Sequence, residues 1–509
     1  MQRKQLTLVI VSLLVVVLSV SLAYFTTQII GKGKDVSVTS TNLQIVFTDT
    51  DGEIAGADIE PGWQKTKTFT VQNNSKSEYK YNIVIKDLLN TFVTEGYLQY
   101  KITSTNDGYN MTEFKDIPKS SVATDTILAY SVSIPVGVTQ NYTIEFKYAN
   151  DESVDQSDDM GKKLSGTLFI TEGTEEPVTL LSQILNDNPT RSTRSNNNNG
   201  TNDFATPLTA TTTGTLFTST ESITGITDSP KEVYYYAGNT TNNWVKFAGL
   251  YWRIIRTNHD SSIRLLYVGT SHDTTDGNIG TSKFNISDNS PKYAGYKYGE
   301  DTSLDTIRNN TTDSTIKTFI DSWYETNLTN YTKYLSTSAV YCNDRSLGTG
   351  QTYSVSSGFN FAPYYRMDPA TKAAKANPSY NCTDIRDAFS VDNTSAKLDY
   401  PVSLMTADEI AFAGGVAYQE MNTPYAWFIS NSVGTQVSSF WWSLSPNYWY
   451  YGFAFVWRWN PVNAYLVNDE VDYISAVRPA ISLKSCIKYS TGDGTSESPY
   501  EIVETSSGC

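Results

Sequence analysis

The sequence predicts a mainly β protein: an N-terminal β-sandwich followed by an α+β domain. Three observations carry that prediction. The 509 residues include 35 Tyr and are rich in Thr, Asn and Ser, a mixture that favours strands and polar turns. Short apolar–polar runs between residues 35 and 173 are separated by turn residues at the spacing of a sandwich. After residue 231 strand signals continue, but two segments change to a helical repeat.

Residues 1–30 read as a signal peptide or membrane anchor. Arg3 and Lys4 precede an apolar run over 6–25. It is long enough to span a bilayer and longer than the usual core of a signal peptide. Cleavage near Ala23 and retention as an anchor both stay open. Either way, everything from about residue 30 onward is expected outside the cytoplasm, where cysteines can pair. Residues 35–173 then supply candidate strands at 42–48, 66–73, 79–86, 98–103, 131–135, 140–148 and 163–171. Ile83 and Ile85 alternate with Asn82, Val84 and Lys86, as in a strand with one strongly buried face.

Residues 174–230 change character. Glu175-Glu176-Pro177, the tract Asn196-Asn197-Asn198-Asn199-Gly200 and runs of Thr read as an extended, mobile linker, with a short amphipathic helical turn at 180–185. Residues 231–509 form the second domain. Runs at 233–237, 244–247, 251–257 and 263–268 look like a β-meander. Asp313 or Ser314 can cap a helix in which Ile316, Phe319, Ile320, Trp323, Tyr324 and Leu328 recur at helical spacing. Thr406 and Glu409 have capping-box spacing for a second helix that ends at Gly414-Gly415. A strand over 401–405 precedes it, and one over 477–483 closes the domain. The four cysteines are expected as Cys342–Cys382 and Cys486–Cys509, the pairing with the shorter loops.

Composition excludes several functions. A net charge of −15 argues against a nucleic-acid binder. With only His259 and His272 present, imidazole catalysis or a His-rich metal site is not expected. No Ser-His-Asp set, metal helix or phosphate loop is visible, so neither an enzyme nor a cofactor is expected. The oxygen-rich stretch His272-Asp273 with Asp276-Gly277-Asn278 lacks a complete Ca²⁺ ligand spacing and reads as a solvated turn.

The segment 440–483 is the most informative. Trp441-Trp442-Ser443-Leu444-Ser445-Pro446 and Val477-Arg478-Pro479-Ala480-Ile481-Ser482-Leu483 frame a run crowded with Tyr, Trp, Phe, Asn and Asp. Rigid rings mixed with small polar groups are what binding surfaces use. Six aromatics fall in the eight residues from Tyr448 to Phe455, too many for one core face of a strand. Phe453, Phe455 and Trp457 are expected on one face and the intervening positions on the other. The candidate ligand-binding residues are Asn447, Tyr448, Trp449, Tyr450, Tyr451, Trp457, Arg458, Trp459, Asn460, Asn463, Tyr465, Asn468, Asp469, Asp472 and Tyr473. Trp441, Trp442, Leu444 and Arg478-Pro479 read as scaffold.

Three stretches resemble known families. Ser21-Leu22-Ala23-Tyr24-Phe25-Thr26, Pro61-Gly62-Trp63 and Ile134-Pro135-Val136-Gly137 resemble exported precursors related to camelysin and bacterial biofilm fibre subunits. Val245-Lys246-Phe247-Ala248-Gly249 with Trp252-Arg253-Ile254-Ile255 resembles the start of a Gram-positive surface domain of unknown function. The 440–483 segment is similar to the variable region of diversity-generating retroelement target proteins. That resemblance implies a C-type-lectin-like fold for 231–509 and diversification of residues 447–476. No Glu-Pro-Asn or Trp-Asn-Asp motif accompanies it, so Ca²⁺-dependent sugar binding is not implied. Formylglycine-generating enzymes share that architecture but need a reactive Cys pair, and here the cysteines fit disulfides better. Together these readings lead to an extracellular protein on the surface of a Gram-positive-type bacterium. It would bind a protein or glycan on another cell, phage or host surface, and would meet the membrane only through its N-terminal segment. The rival reading is a matrix or fibre subunit that assembles through the sandwich.

Overall fold

The computed structural model describes residues 36–40, 43–49, 59–94, 96–194, 202–208, 214–272, 277–367, 376–420, 440–461, 463–505 and 508, the first two stretches as backbone only. Strand exceeds helix by 41% to 14%, so the protein is mainly β. The chain divides into two units at Glu176/Pro177.

In the first unit a six-stranded sheet runs in the order Val36–Ser40, Leu43–Asp49, Gln64–Asn73, Thr139–Tyr148, Leu98–Ser104, Lys115–Asp116. A three-stranded sheet places Tyr79–Asn90 between Ser120–Ile134 and Leu164–Glu172. All of these pairings are antiparallel. Alternation explains the arrangement. Phe69 and Val71 point inward while Thr66, Thr68 and Thr70 point outward, and Ile144 and Phe146 repeat the pattern on the neighbouring strand. Ile83, Ile85 and Leu168 of the smaller sheet enter the same apolar core. Its polar members are satisfied: Tyr81 Oη donates to Gln140 Oε1 at 2.7 Å and lies 2.5 Å from Tyr142 Oη.

The stretch expected to be a linker is instead partly built into the second unit. Helix Leu180–Asp187 starts at an N-cap on Thr179 and buries Leu180 and Ile184 in the main core of that unit. Leu180 N–H donates to Ile487 O at 2.8 Å. Strand Thr215–Glu221 pairs along its whole length with Lys231–Ala237. The helix falls where the amphipathic turn at 180–185 was expected; polar composition hid the strand and the packing of both elements, because each needs only two or three apolar side chains to be held by partners elsewhere. The Asn tract at 196–199 lies outside the described residues.

The second unit is organised around strand Ile263–Gly269, buried at every position. It lies between Leu250–Thr257 and Pro479–Leu483. The expected meander is modified: Lys231–Ala237 pairs with Leu250–Thr257 and not with Trp244–Phe247. Helix Thr315–Asn327 is capped by Ser314, whose Oγ accepts from Lys317 N–H, and it buries Ile316, Ile320 and Tyr324. Helix Ala407–Ala413 has the expected capping box from Thr406 and Glu409, and ends where Gly414 takes a φ of +121°. All seven of its residues are buried. Glu409 explains how: it accepts from Arg256 at 2.8 Å and from Arg264 at 2.5 Å, and Arg256 also reaches Glu221 at 2.8 Å. The charges are thus taken out of water together. Cys342 and Cys382 form a disulfide with Cα atoms 5.8 Å apart. No described cysteine is a free thiol, and Cys509 lies outside the described residues. No helix among the described residues is long and apolar enough to cross a membrane. The 6–25 run falls outside them.

Candidate functional site: an aromatic hairpin

The framed segment folds as strands Trp441–Tyr450 and Phe453–Asn460, joined by a two-residue turn. Strand Tyr465–Glu470 continues the sheet beside the second strand. Ile474–Ala476 and the short Phe359–Asn360 flank the first. Tyr450 pairs with Phe453, so Tyr451 and Gly452 form the turn, with φ of +49° and +86°. Two positive-φ residues are the arrangement of a type I′ turn, which matches strand twist and prefers Asn-Gly. Gly suits the second position. Tyr in the first is strained.

The fifteen candidate residues separate into three groups. Tyr450, Tyr451 and Tyr473 are 50%, 80% and 52% exposed. Tyr448, Arg458, Asn463, Tyr465, Asn468, Asp469 and Asp472 are half-buried. Asn447, Trp449, Trp457, Trp459 and Asn460 are buried, which corrects their expected place on the surface. Packing supplies the reason. Trp449 donates its indole N–H to Val355 O at 2.8 Å, and Trp457 O accepts from Ser443 Oγ at 2.8 Å. Trp459 lies against Trp441 and over Gly415, where an added Cβ would meet the indole at 2.8 Å. Phe361 N–H donates to Asn447 O, and Asn460 Oδ1 accepts from Asn463 N–H. The scaffold residues are where they were expected: Trp441, Trp442 and Leu444 are core, and Arg478 is buried with an Nη2 bond to Tyr267 O.

Face assignment needs a second correction. Phe453, Phe455 and Trp457 do share one side of their strand, but Phe453 is 41% exposed, while the intervening Ala454 and Val456 are wholly buried. The outward side therefore includes Phe453 and Phe455, which sequence reasoning left out. The small and aliphatic residues between them were the available signal. Across the ladder Tyr448 meets Phe455 with centroids 4.4 Å apart, and at the turn Tyr450 meets its neighbour Tyr451 at 4.0 Å. Tyr364 extends the row at 5.8 Å from Tyr448, and Tyr418 lies 5.7 Å from Trp457. Nothing near Tyr364 or Tyr418 in the sequence marks either as part of this surface.

Polar groups divide between the two sides. Arg458 pairs with Asp469, donates to Ser475 Oγ at 3.0 Å and lies 4.0 Å over Phe440. Burial lowers Arg458 and raises Asp469 from their ordinary values, each opposed by the other's charge. On the ring side Asn468 donates to Tyr418 Oη at 2.8 Å and to Asn447 Oδ1 at 3.2 Å. Glu470 faces Phe455 directly. Its carboxyl is pushed up by burial and then by Asp288, Asp469 and Asp472.

Two carboxylate clusters were not foreseen. Asp288, Glu470 and Asp472 each bring an oxygen within 4.8 Å of the others. Asp313, Asp321 and Asp399 converge on buried Lys317, whose Nζ fills their centre at 3.0, 2.6 and 2.6 Å. The loop with His272 runs partly outside the described residues, including Asp273 and Asp276. A cavity of about 20 Å³ among Arg256, Arg264, Arg366, Asp344 and Asp408 has room for about one water.

No family model and no curated protein matches the chain. One solved structure, AvmM, which catalyses macrocyclization in alchivemycin A biosynthesis, matches at 10% identity and a TM-score of 0.15. The match covers 29% of this chain and all of the other. A TM-score that low says nothing about shared fold or activity.

Proposed function

We propose that this protein is a bacterial cell-surface ligand-binding protein, adhesin- or receptor-like, and that the ring side of the 441–460 hairpin is its binding surface. One observation supports this above all others. Among the described residues, the five aromatic side chains that are largely exposed, Tyr418, Tyr450, Tyr451, Phe453 and Tyr473, all lie in or against this sheet. Exposed aromatic patches tend to mark interaction surfaces. The strained Tyr451 at the turn supports the same reading, because backbone strain collects at functional sites. The basic residues before the 6–25 apolar run support export, and the Cys342–Cys382 bridge suits an oxidising compartment. Its ligand is then a protein or glycan on another cell, phage or host surface.

The test compares bacteria displaying the full chain with bacteria displaying Tyr450→Ala/Phe453→Ala, for adhesion to panels of bacterial and host-cell surfaces. The variant should be displayed at normal level and lose adhesion. Equal adhesion by the two would overturn the reading. Filaments that depend on residues 35–173, with adhesion indifferent to the hairpin, would favour a fibre subunit instead.

A further inference from the structure

The ring side of the hairpin is electron-rich and negatively charged at once. Phe455 and Glu470 are ladder partners, so their side chains leave the sheet on the same side, about 5 Å apart at Cβ. Glu470 and Asp288 sit with Asp472 in one carboxylate cluster. Asp472 has Lys283 at 4.0 Å. Among the described residues Glu470 and Asp288 have neither an ion pair nor a side-chain hydrogen bond, so two carboxylates stand uncompensated beside the rings. Arg458, the nearest Arg in the hairpin, is turned to the opposite side and held by Asp469.

Ring faces attract cations placed within about 6 Å of the centroid. A guanidinium can stack on such a face while its fork meets a carboxylate. The neutral donor that a sugar hydroxyl would seek here, the Asn468 amide, is already committed to Tyr418 and Asn447. Buried Asn447, at the edge of the same side, keeps an Nδ2 donor without an acceptor. That donor has no accessible surface, so it too offers nothing to a sugar oxygen. The net charge of −15 draws a basic partner in from a distance.

From this we infer that the ligand is a protein, and that it places an arginine or lysine side chain between the Tyr448–Phe455 rings and the Glu470 and Asp288 carboxylates. This rests on the proposed binding role of the hairpin and names the chemistry of its partner.

The experiment uses the full chain and a fluorescent peptide of alternating glycine and arginine. A matched peptide carries citrulline, which keeps the shape and removes the charge. The arginine peptide should bind at least about tenfold more tightly than the citrulline peptide. Glu470→Gln with Asp288→Asn should remove that preference. Glu152→Gln with Asp158→Asn, an equal charge change on two exposed residues of the other unit, should leave it intact. Equal binding of the two peptides overturns the inference, and so does an equal loss with Glu152→Gln/Asp158→Asn. A neutral glycan that binds through Tyr450 and Phe453, with no arginine preference, removes the basic partner but leaves the binding role standing. Adhesion unaffected by the hairpin tyrosines removes both.

Discussion

At the framed end of the aromatic hairpin, Trp441, Trp442, Trp457 and Trp459 are at most 1% exposed, whereas Tyr450, Tyr451 and Phe453 at the turn are 41% to 80% exposed. The two ends belong to the same pair of strands and use the same class of residue. Their neighbours differ. The framed end is covered by helix Ala407–Ala413, by Gly415 and by strands Thr281–Lys283 and Ile474–Ala476. Trp442 donates to Ser282 O at 2.9 Å, and Ala407 N–H donates to Ser445 Oγ at 3.0 Å. The turn end has Phe359 and the Asp288 loop at its sides and water beyond. An aromatic side chain is thus structural or available for binding according to what the rest of the chain lays over it.

The largest expected effect lies under the framed end. Glu409→Ala leaves the Arg256 and Arg264 guanidiniums buried without their shared carboxylate, a loss of about 3–5 kcal/mol. Trp459→Ala empties a site that Gly415 and Trp441 close tightly and should cost about 3–5 kcal/mol. Thermal and denaturant melts of the full chain measure both. If either variant melts like the unaltered protein, the two ends do not differ in the way the burial implies.

Acid should separate the ends by sign. Burial alone would raise the Glu221 carboxyl, but Arg256 and then His259 reverse this and hold it at about 2. Its folded value lies below its unfolded one. Its contribution, on the order of 3 kcal/mol, is therefore complete above about pH 4.5 and is lost as pH falls toward 2. Glu470 near the turn is shifted upward, so its smaller contribution runs the other way and is lost as pH rises through its folded value. Denaturant midpoints at pH 7 and pH 3 should show a net loss at pH 3, and Glu221→Gln should flatten that slope. An unchanged slope would mean that the Arg256 network is not what acid disrupts.

The sequence showed what periodicity and capping can show. Ser314, Thr406 with Glu409, and the alternation at Ile83 and Ile85 each placed an element through local chemistry. The Cys342–Cys382 pair was legible because short loops are favoured. What stayed hidden depends on distant partners. The amphipathic turn at 180–185 was legible, but its attachment to the second unit was not, because that depends on Ile487 beside Leu180. Trp457 and Trp459 look like surface until the 407–413 helix covers one side of the sheet. The side taken by Phe453 and Phe455 turned on Ala454 and Val456, which gave a weaker signal than the rings did. Tyr364 joins the surface from far along the chain, and no local pattern marks it.

The smallest predicted effect tests the turn itself. Tyr451 holds a φ of +49° and is followed by Gly452 at +86°. A tyrosine in the left-handed region costs about 1 kcal/mol, whereas asparagine tolerates that region well. The ring offsets little of this cost through burial, because it is 80% exposed. Tyr451→Asn should therefore stabilise the protein by about 0.5–1 kcal/mol, the reverse of every change at the framed end. The same substitution removes a ring that meets Tyr450 edge to face, with centroids 4.0 Å apart, on the proposed binding surface. Adhesion should fall by about tenfold if Tyr451 is an anchor. Stability and binding moving in opposite directions would mark a residue kept at the turn for its contact with the ligand. A stabilised variant that adheres normally would leave the exposed ring without a role. A destabilised variant would show that the turn is not strained, and the contrast between the two ends would then rest on burial alone.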